Sequence, residues 1–118
     1  APATGEVVLA ALPGPREDWF TAEAIATLAG TAFTVAPASN RTGLRLEGPA
    51  LTRRLHGELR SEGIVPGSIQ VPPSGQPIVL LADHPTTGGY PIVAVLRDAA
   101  LDAAAQLRPG QPVRFSLR

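Results

Sequence analysis

The sequence predicts a mainly β domain, a closed or partly open β-barrel with two short helices. Three observations carry this. Seven short runs are apolar, β-branched or alternating in polarity. Gly or Pro recurs about every eight to twelve residues, a spacing that suits sandwiches and barrels. Only residues 21–29 and 98–107 carry helix signals.

Taken in order, residues 6–12 (EVVLAAL) read as a buried strand ended by Pro13-Gly14-Pro15. Trp19 and Phe20 precede Thr21, whose hydroxyl suits a helix N-cap, with Glu23 in the first turn of a helix running to about Ala29. Gly30 fits the position just past that helix. Residues 31–35 form a second, β-branched and aromatic strand, and residues 44–47 alternate as a half-buried strand does before Gly48-Pro49 stops them. Residues 68–71 and 77–82 are two strands joined by Pro72-Pro73-Ser74-Gly75-Gln76, a hairpin by its turn formers. Residues 92–96 are another strand. Asp98 is expected to cap an Ala-rich helix to about Leu107, stopped by Arg108-Pro109-Gly110, and residues 113–117 close the chain as an alternating strand.

At 118 residues the chain is one domain, residues 1–118, with 44% apolar and 17% charged residues, values of a soluble globular protein. The run at 78–82 is far short of the roughly 20 apolar residues a membrane span needs. No signal peptide pattern is visible, so a cytoplasmic location is expected, with no membrane contact. Net charge is zero and the arginines are scattered, which argues against a nucleic-acid partner. Cysteine is absent, and two histidines, His56 and His84, do not make a typical zinc site, so no metal is expected. The chain has no methionine and opens at Ala1, as a piece of a longer polypeptide would.

The loop Asp83-His84-Pro85-Thr86-Thr87-Gly88-Gly89-Tyr90-Pro91 follows an apolar strand, which puts its polar atoms at a barrel rim. Paired glycines allow close backbone approach and positive φ. Thr hydroxyls and the Tyr phenol can bind a carboxylate, amide or phosphate. A tight turn, with Asp83 bonding its own loop and Tyr90 packed on the barrel, explains the same residues structurally. There is no Walker motif, and neighbouring Asp83 and His84 side chains point to opposite faces of a strand, which disfavours a triad.

Ser39-Asn40-Arg41-Thr42-Gly43-Leu44-Arg45 is a second cluster, where Arg41 and Arg45 offer planar forks for carboxylate or phosphate and Asn40 can orient an amide. The alternative is an Asx turn, with Arg45 paired to Glu47 or Glu62. Glu62 is either ion-paired or a general base with a shifted pKa. Gln70 and Gln76 either read an amide or acid group or satisfy backbone at the hairpin. Arg16, Glu17 and Asp18 read as a solvated loop.

Five segments resemble one family: LPGP with Trp19-Phe20, SNRTGLRLEGP (39–49), SEGIVPGSIQVPPSGQPIVLLAD (61–83), TTGGYP (86–91) and QLRPGQPVRF (106–115). The family takes in the C subunit of bacterial 5-oxoprolinase, allophanate hydrolase subunit 2, the matching carboxyltransferase part of urea carboxylase, and the antagonist of a sporulation kinase inhibitor. The resemblance implies a cyclophilin-like fold. It also implies that the chain is the carboxyl-terminal half of a longer polypeptide. That polypeptide would work with its amino-terminal half and with a related partner, the B subunit of 5-oxoprolinase or allophanate hydrolase subunit 1 in type.

Two chemistries are implied. One is ATP-dependent opening of the 5-oxoproline lactam to glutamate, with Mg accompanying ATP at the level of the complex. Phosphorylation turns the oxygen of an unactivated amide into a leaving group, which calls for Arg-type charge and fixed donors. The other is carboxyl transfer from carboxybiotin to urea, which needs donors at the ureido oxygen and a base near nitrogen. Arg41, Arg45, Thr86, Thr87 and Gly89 suit either. Arg41, Arg45 and Glu62 are the catalytic candidates; Asn40, Gln70, Gln76, Asp83, Thr86, Thr87, Gly88, Gly89 and Tyr90 are the substrate-binding ones. A third possibility is a regulatory protein that binds a partner and catalyses nothing. The isolated chain is expected to be inactive.

Overall fold

Alternation in the first strand sets the architecture. In β1 (Val7–Pro13) Leu9 and Ala11 are fully buried while Val8 and Leu12 are exposed, so one face meets a core and the other does not. Both edges of β1 are hydrogen-bonded, and that closes the sheet. The computed structural model describes residues 5–57 and 59–117.

A 3-10 turn (Glu17–Trp19) and α1 (Ala22–Gly30) follow β1. Then come β2 (Phe33–Val35), β3 (Gly43–Glu47), β4 (Glu62–Gly63), β5 (Ser68–Gln70), β6 (Ile78–Leu80), β7 (Thr87–Gly88), β8 (Ile92–Leu96), α2 (Asp98–Ala105) and β9 (Pro112–Leu117). Seven of these strands form a closed barrel in the order β1-β8-β5-β6-β3-β2-β9. Every barrel pair is antiparallel except β1 with β9, which runs parallel from Val7↔Val113 to Ala11↔Leu117. Closure leaves no free edge among these strands. The mainly β barrel with two helices expected above is therefore present, and the seven predicted strands are its seven staves.

The barrel is filled by Leu9, Phe33, Val35, Leu44, Leu46, Ile69, Val79, Val93, Val113 and Phe115, all at most 2% exposed. Phe33 and Phe115 meet with ring centroids 6.2 Å apart at 59°, a tilted aromatic contact. α1 starts as predicted: Thr21 Oγ1 accepts the Ala24 N–H at 3.0 Å, and the helix buries Ala24 and Leu28 against the barrel. Gly30 is its last residue rather than the one beyond. The second helix differs more. Arg97 occupies the cap position with no side-chain cap bond, and Asp98 sits in the first turn, where its charge faces the positive end of the helix. The helix also ends at Ala105, two residues early, because its last turn tightens: the Gln106 N–H donates to both Ala103 and Ala104 carbonyls.

The 72–76 linker is a turn as expected, with Gly75 at φ +81° against Ala50 and Leu51. β4 and β7 form a separate two-stranded ribbon, pairing Glu62↔Gly88 and Gly63↔Thr87. Two residues per strand give no period to read, and the sequence alone did not show this ribbon. Among the described residues, no helix is long and apolar enough to cross a membrane.

Candidate functional site

Directly opposed residues in antiparallel strands share a face. Arg45 on β3 lies opposite Ile78 on β6, and Ile78 lies opposite Gln70 on β5. The three therefore form one row across the outer wall of the barrel. Their chain neighbours Leu44, Leu46, Ile69 and Val79 point inward to the core. One step along, Gly43 pairs with Leu80, and a Cβ at Gly43 would come within 2.8 Å of Ile78 Cγ2. The wall is thus lowered at Gly43.

Asn40, Thr42, Gly43, Arg45, Gln70, Ile78, Leu80 and Pro85 enclose a groove of about 280 Å³ on this wall. Its floor is aliphatic, from Ile78 and Leu80, and its polar side chains are the Arg45 guanidinium, the Asn40 and Gln70 amides and the Thr42 hydroxyl. Local hydrogen bonds fix the loop above it. Asn40 Oδ1 accepts the N–H groups of Thr42 at 2.9 Å and Gly43 at 3.2 Å, the Asx turn weighed above. Ser39 Oγ accepts the Arg45 N–H at 2.9 Å and donates to its carbonyl at 3.1 Å. The Arg45 backbone is held at both ends while its exposed side chain has no ion pair among the described residues.

Other sequence candidates are placed elsewhere. Glu62 is ion-paired with Arg16, not Arg45: Nε and Nη2 of Arg16 each donate to a carboxylate oxygen at 2.9 Å. The hydrogen bond from Arg16, more than its charge, holds the Glu62 carboxyl below its ordinary value, although partial burial opposes it. A lowered pKa makes a weaker base, so of the two readings of Glu62 the paired one is observed. Arg16 is accordingly not the freely solvated residue expected; it fastens the β4–β7 ribbon to the turn after β1. Arg41 pairs with Asp83 at 3.3 Å through an 85% exposed side chain. It lies at the lip of a roughly 380 Å³ hollow between Leu44, Leu81 and the end of α2, where Ala104, Ala105 and Leu107 make the lining mostly aliphatic. Gln76 is committed to backbone, accepting from Gly48 N–H at 2.9 Å and donating to Gly48 O at 3.0 Å.

The Thr-Thr-Gly-Gly-Tyr loop is divided. Thr87 and Gly88 form β7, and the Thr86 carbonyl accepts the Ile64 N–H at 3.0 Å. Neither Gly88 nor Gly89 adopts the positive φ that glycine allows. Gly88 lies close to its neighbours: a Cβ there would be 2.7 Å from Ile64 Cδ1, the mobile end of that side chain, and 3.5 Å from Gln70 Oε1. This contact brings the ribbon beside the groove. Gly89 and Tyr90 line a different hollow of about 260 Å³ with Arg53, Gly57, Leu59 and Pro73. Arg53 carried no motif or spacing that would have singled it out. His56 is exposed and His84 half-exposed.

The groove thus gathers Asn40, Arg45 and Gln70, donors suited to a small molecule with a carboxylate and an amide edge. Among the described residues no three His, Asp or Glu side chains come together as metal ligands.

A family described as "carboxyltransferase domain, subdomain A and B" matches residues 1–117. Among curated proteins, the C subunit of 5-oxoprolinase from Escherichia coli (strain K12) is 43% identical over 105 residues, 89% of this chain and 34% of that protein. The C subunit of 5-oxoprolinase from Haemophilus influenzae is 48% identical over 83 residues, 70% of this chain and 27% of that protein. The crystal structure of Kluyveromyces lactis urea carboxylase superposes with a TM-score of 0.86 at 27% identity, covering 95% of this chain and 11% of that one. The chain therefore spans about a third or less of the length of each relative. With a match running almost end to end, the chain belongs to the carboxyltransferase domain, subdomain A and B, family.

Proposed function

We propose that this chain supplies one wall of a composite substrate site in a 5-oxoprolinase-type complex, which opens 5-oxoproline to glutamate with ATP hydrolysis. The observation that carries this reading is the row Arg45–Ile78–Gln70 beside the Asn40 turn. 5-Oxoproline is a five-membered lactam with one carboxylate, one amide edge and two ring methylenes. The Arg45 fork would take the carboxylate, the Gln70 amide would pair with the lactam N–H and carbonyl, and Ile78 and Leu80 would meet the methylenes. A groove of about 280 Å³ suits a molecule that small; drug-sized ligands generally occupy about 300–1,000 Å³. The identity to two proteins named as the C subunit of 5-oxoprolinase supports the same reading. The rest of the site would come from the amino-terminal part of the same polypeptide and from a second, related protein, so the chain alone would be inactive.

The likeness to urea carboxylase favours a second reading, in which the groove holds a ureido group during carboxyl transfer from biotin. The full-length subunits, assembled and supplied with 5-oxoproline and ATP, separate the two. Stoichiometric glutamate and ADP support the first; tight biotin binding with no glutamate or ADP overturns it.

A further inference from the structure

The half-buried guanidinium of Arg53 has fewer partners than its burial calls for. Its backbone is fixed against the turn after β1. Arg53 forms an isolated antiparallel bridge with Phe20, the Thr21 N–H donates to the Thr52 carbonyl at 3.1 Å, and the Arg54 N–H donates to the Trp19 carbonyl at 2.7 Å. From there the side chain reaches the end of β5, where Nη2 donates to the Val71 carbonyl at 2.9 Å. That is its side chain's one hydrogen bond among the described residues. Nε is buried with no acceptor, and Nη1 makes none. The ion pairs among the described residues are Arg16–Glu62, Arg41–Asp83 and Arg114–Glu6, so no described carboxylate neutralises Arg53. Adjacent Arg54 is different: its Nε and Nη2 both donate to the Asp18 carbonyl. A half-buried cation whose enclosed Nε–H lacks an acceptor needs an explanation, and a bound ion is one.

Space for an anion lies on both sides. Arg53 borders a hollow of about 300 Å³ with His56 and the 72–75 turn, and the 260 Å³ hollow with Leu59, Pro73, Gly89 and Tyr90. The second has apolar walls in Leu59 and Pro73, and Tyr90 is 44% exposed beside them.

We propose that Arg53 is the anion-binding group of a second site, which takes the carboxylate of a small organic acid whose apolar body lies against Leu59, Pro73 and Tyr90. The contact is made through Nη1, and the negative charge compensates the whole delocalised guanidinium, including the enclosed Nε–H. A monoanion is favoured over phosphate because Arg53 stands alone: the neighbouring Arg54 fork is turned onto backbone and adds no second cation. This site lies at the Val71 end of β5 and does not depend on the role assigned to Arg45.

Benzoate, titrated into the full-length protein in a low-chloride buffer, is the probe, with the Arg53 Nε–H resonance and calorimetry as readouts. Saturable binding with a shift of the Arg53 resonance is expected. Arg53→Lys, which keeps charge but loses the planar fork, should weaken binding about tenfold, and Arg53→Gln should abolish it while Arg54→Gln leaves it unchanged. Thermal unfolding of each variant separates lost binding from lost folding, and Arg53→Lys carries the comparison if Arg53→Gln does not fold. A non-saturating Nε–H response, or benzoate binding unchanged in the folded lysine variant, overturns the proposal. Inorganic phosphate, titrated separately, should bind more weakly than benzoate; tighter phosphate binding overturns the carboxylate assignment.

Discussion

Gly14 sits where β1 leaves the barrel, and a methyl group there has nowhere to go. In Gly14→Ala the new Cβ would lie 2.6 Å from the Ile92 carbonyl oxygen, 2.8 Å from the Ala94 nitrogen and 2.9 Å from the Val93 carbonyl carbon. All three are backbone atoms of β8 and cannot rotate aside, so the turn must lift away. Lifting breaks two hydrogen bonds, Gly14 N–H to Val93 O at 3.0 Å and Arg16 N–H to Ile92 O at 3.1 Å. Overpacking typically costs about 1–3 kcal/mol, and each lost backbone bond about 1 kcal/mol net. Together these give a destabilisation of about 3–5 kcal/mol. For a domain of this size that lowers Tm by about 12–20 °C. Thermal unfolding followed by circular dichroism, with urea titration as a second measure, reads it directly. Displacing Arg16 should also loosen its ion pair with Glu62 and so free the β4–β7 ribbon, visible as faster amide exchange at Ile64, which bonds to Thr86. A Tm within about 2 °C of the parent would refute the close approach on which the argument rests.

Gly30→Ala is the opposite case: nothing lies within 4 Å of the added Cβ and φ is not positive, so the substitution should stabilise α1 by about 0.5–1 kcal/mol in the same unfolding assay. Glu62 is held below its ordinary pKa of 4.5 by Arg16, so the native state binds fewer protons than the unfolded one. Its contribution is present above pH 4.5 and is lost as pH falls through the lowered native value. Urea midpoints measured across that acid range should therefore fall less steeply with decreasing pH in Glu62→Gln than in the parent.

The barrel was largely legible in the sequence because its signals are local. Leu44-Arg45-Leu46-Glu47 alternates as a half-buried stave must, and Thr21 with Glu23 marks a helix start by chemistry within one turn. The strand ends were less legible. Residues 81–82 continue the apolar run of β6, yet the strand ends at Leu80, because the chain turns there: the His84 N–H donates to the Leu81 carbonyl at 3.1 Å. The candidate groove was legible only in parts. Asn40, Arg45 and Gln70 were each visible, but their meeting depends on β3 and β5 both flanking β6, a pairing between segments with no shared motif. Likewise the ion pair between Arg16 and Glu62 spans 46 positions, so neither residue signals the other. Arg53 matters through what its buried Nε lacks, and burial is a property of the assembled fold.

The proposed role of the groove is tested most directly by Arg45→Ala in the assembled full-length complex. Arg45 is exposed, its side chain has no ion pair among the described residues, and its backbone is held by Ser39. Surface replacements of this kind usually change stability by no more than about 0.5 kcal/mol, which here is about 2 °C in Tm. A lost charged hydrogen bond to substrate costs about 1.5–3 kcal/mol, or roughly 10- to 150-fold in kcat/KM for 5-oxoproline. Glutamate release measured beside thermal unfolding should therefore show an intact fold with that loss of kcat/KM. Unchanged kcat/KM in a folded Arg45→Ala complex would contradict the assignment of this groove to substrate.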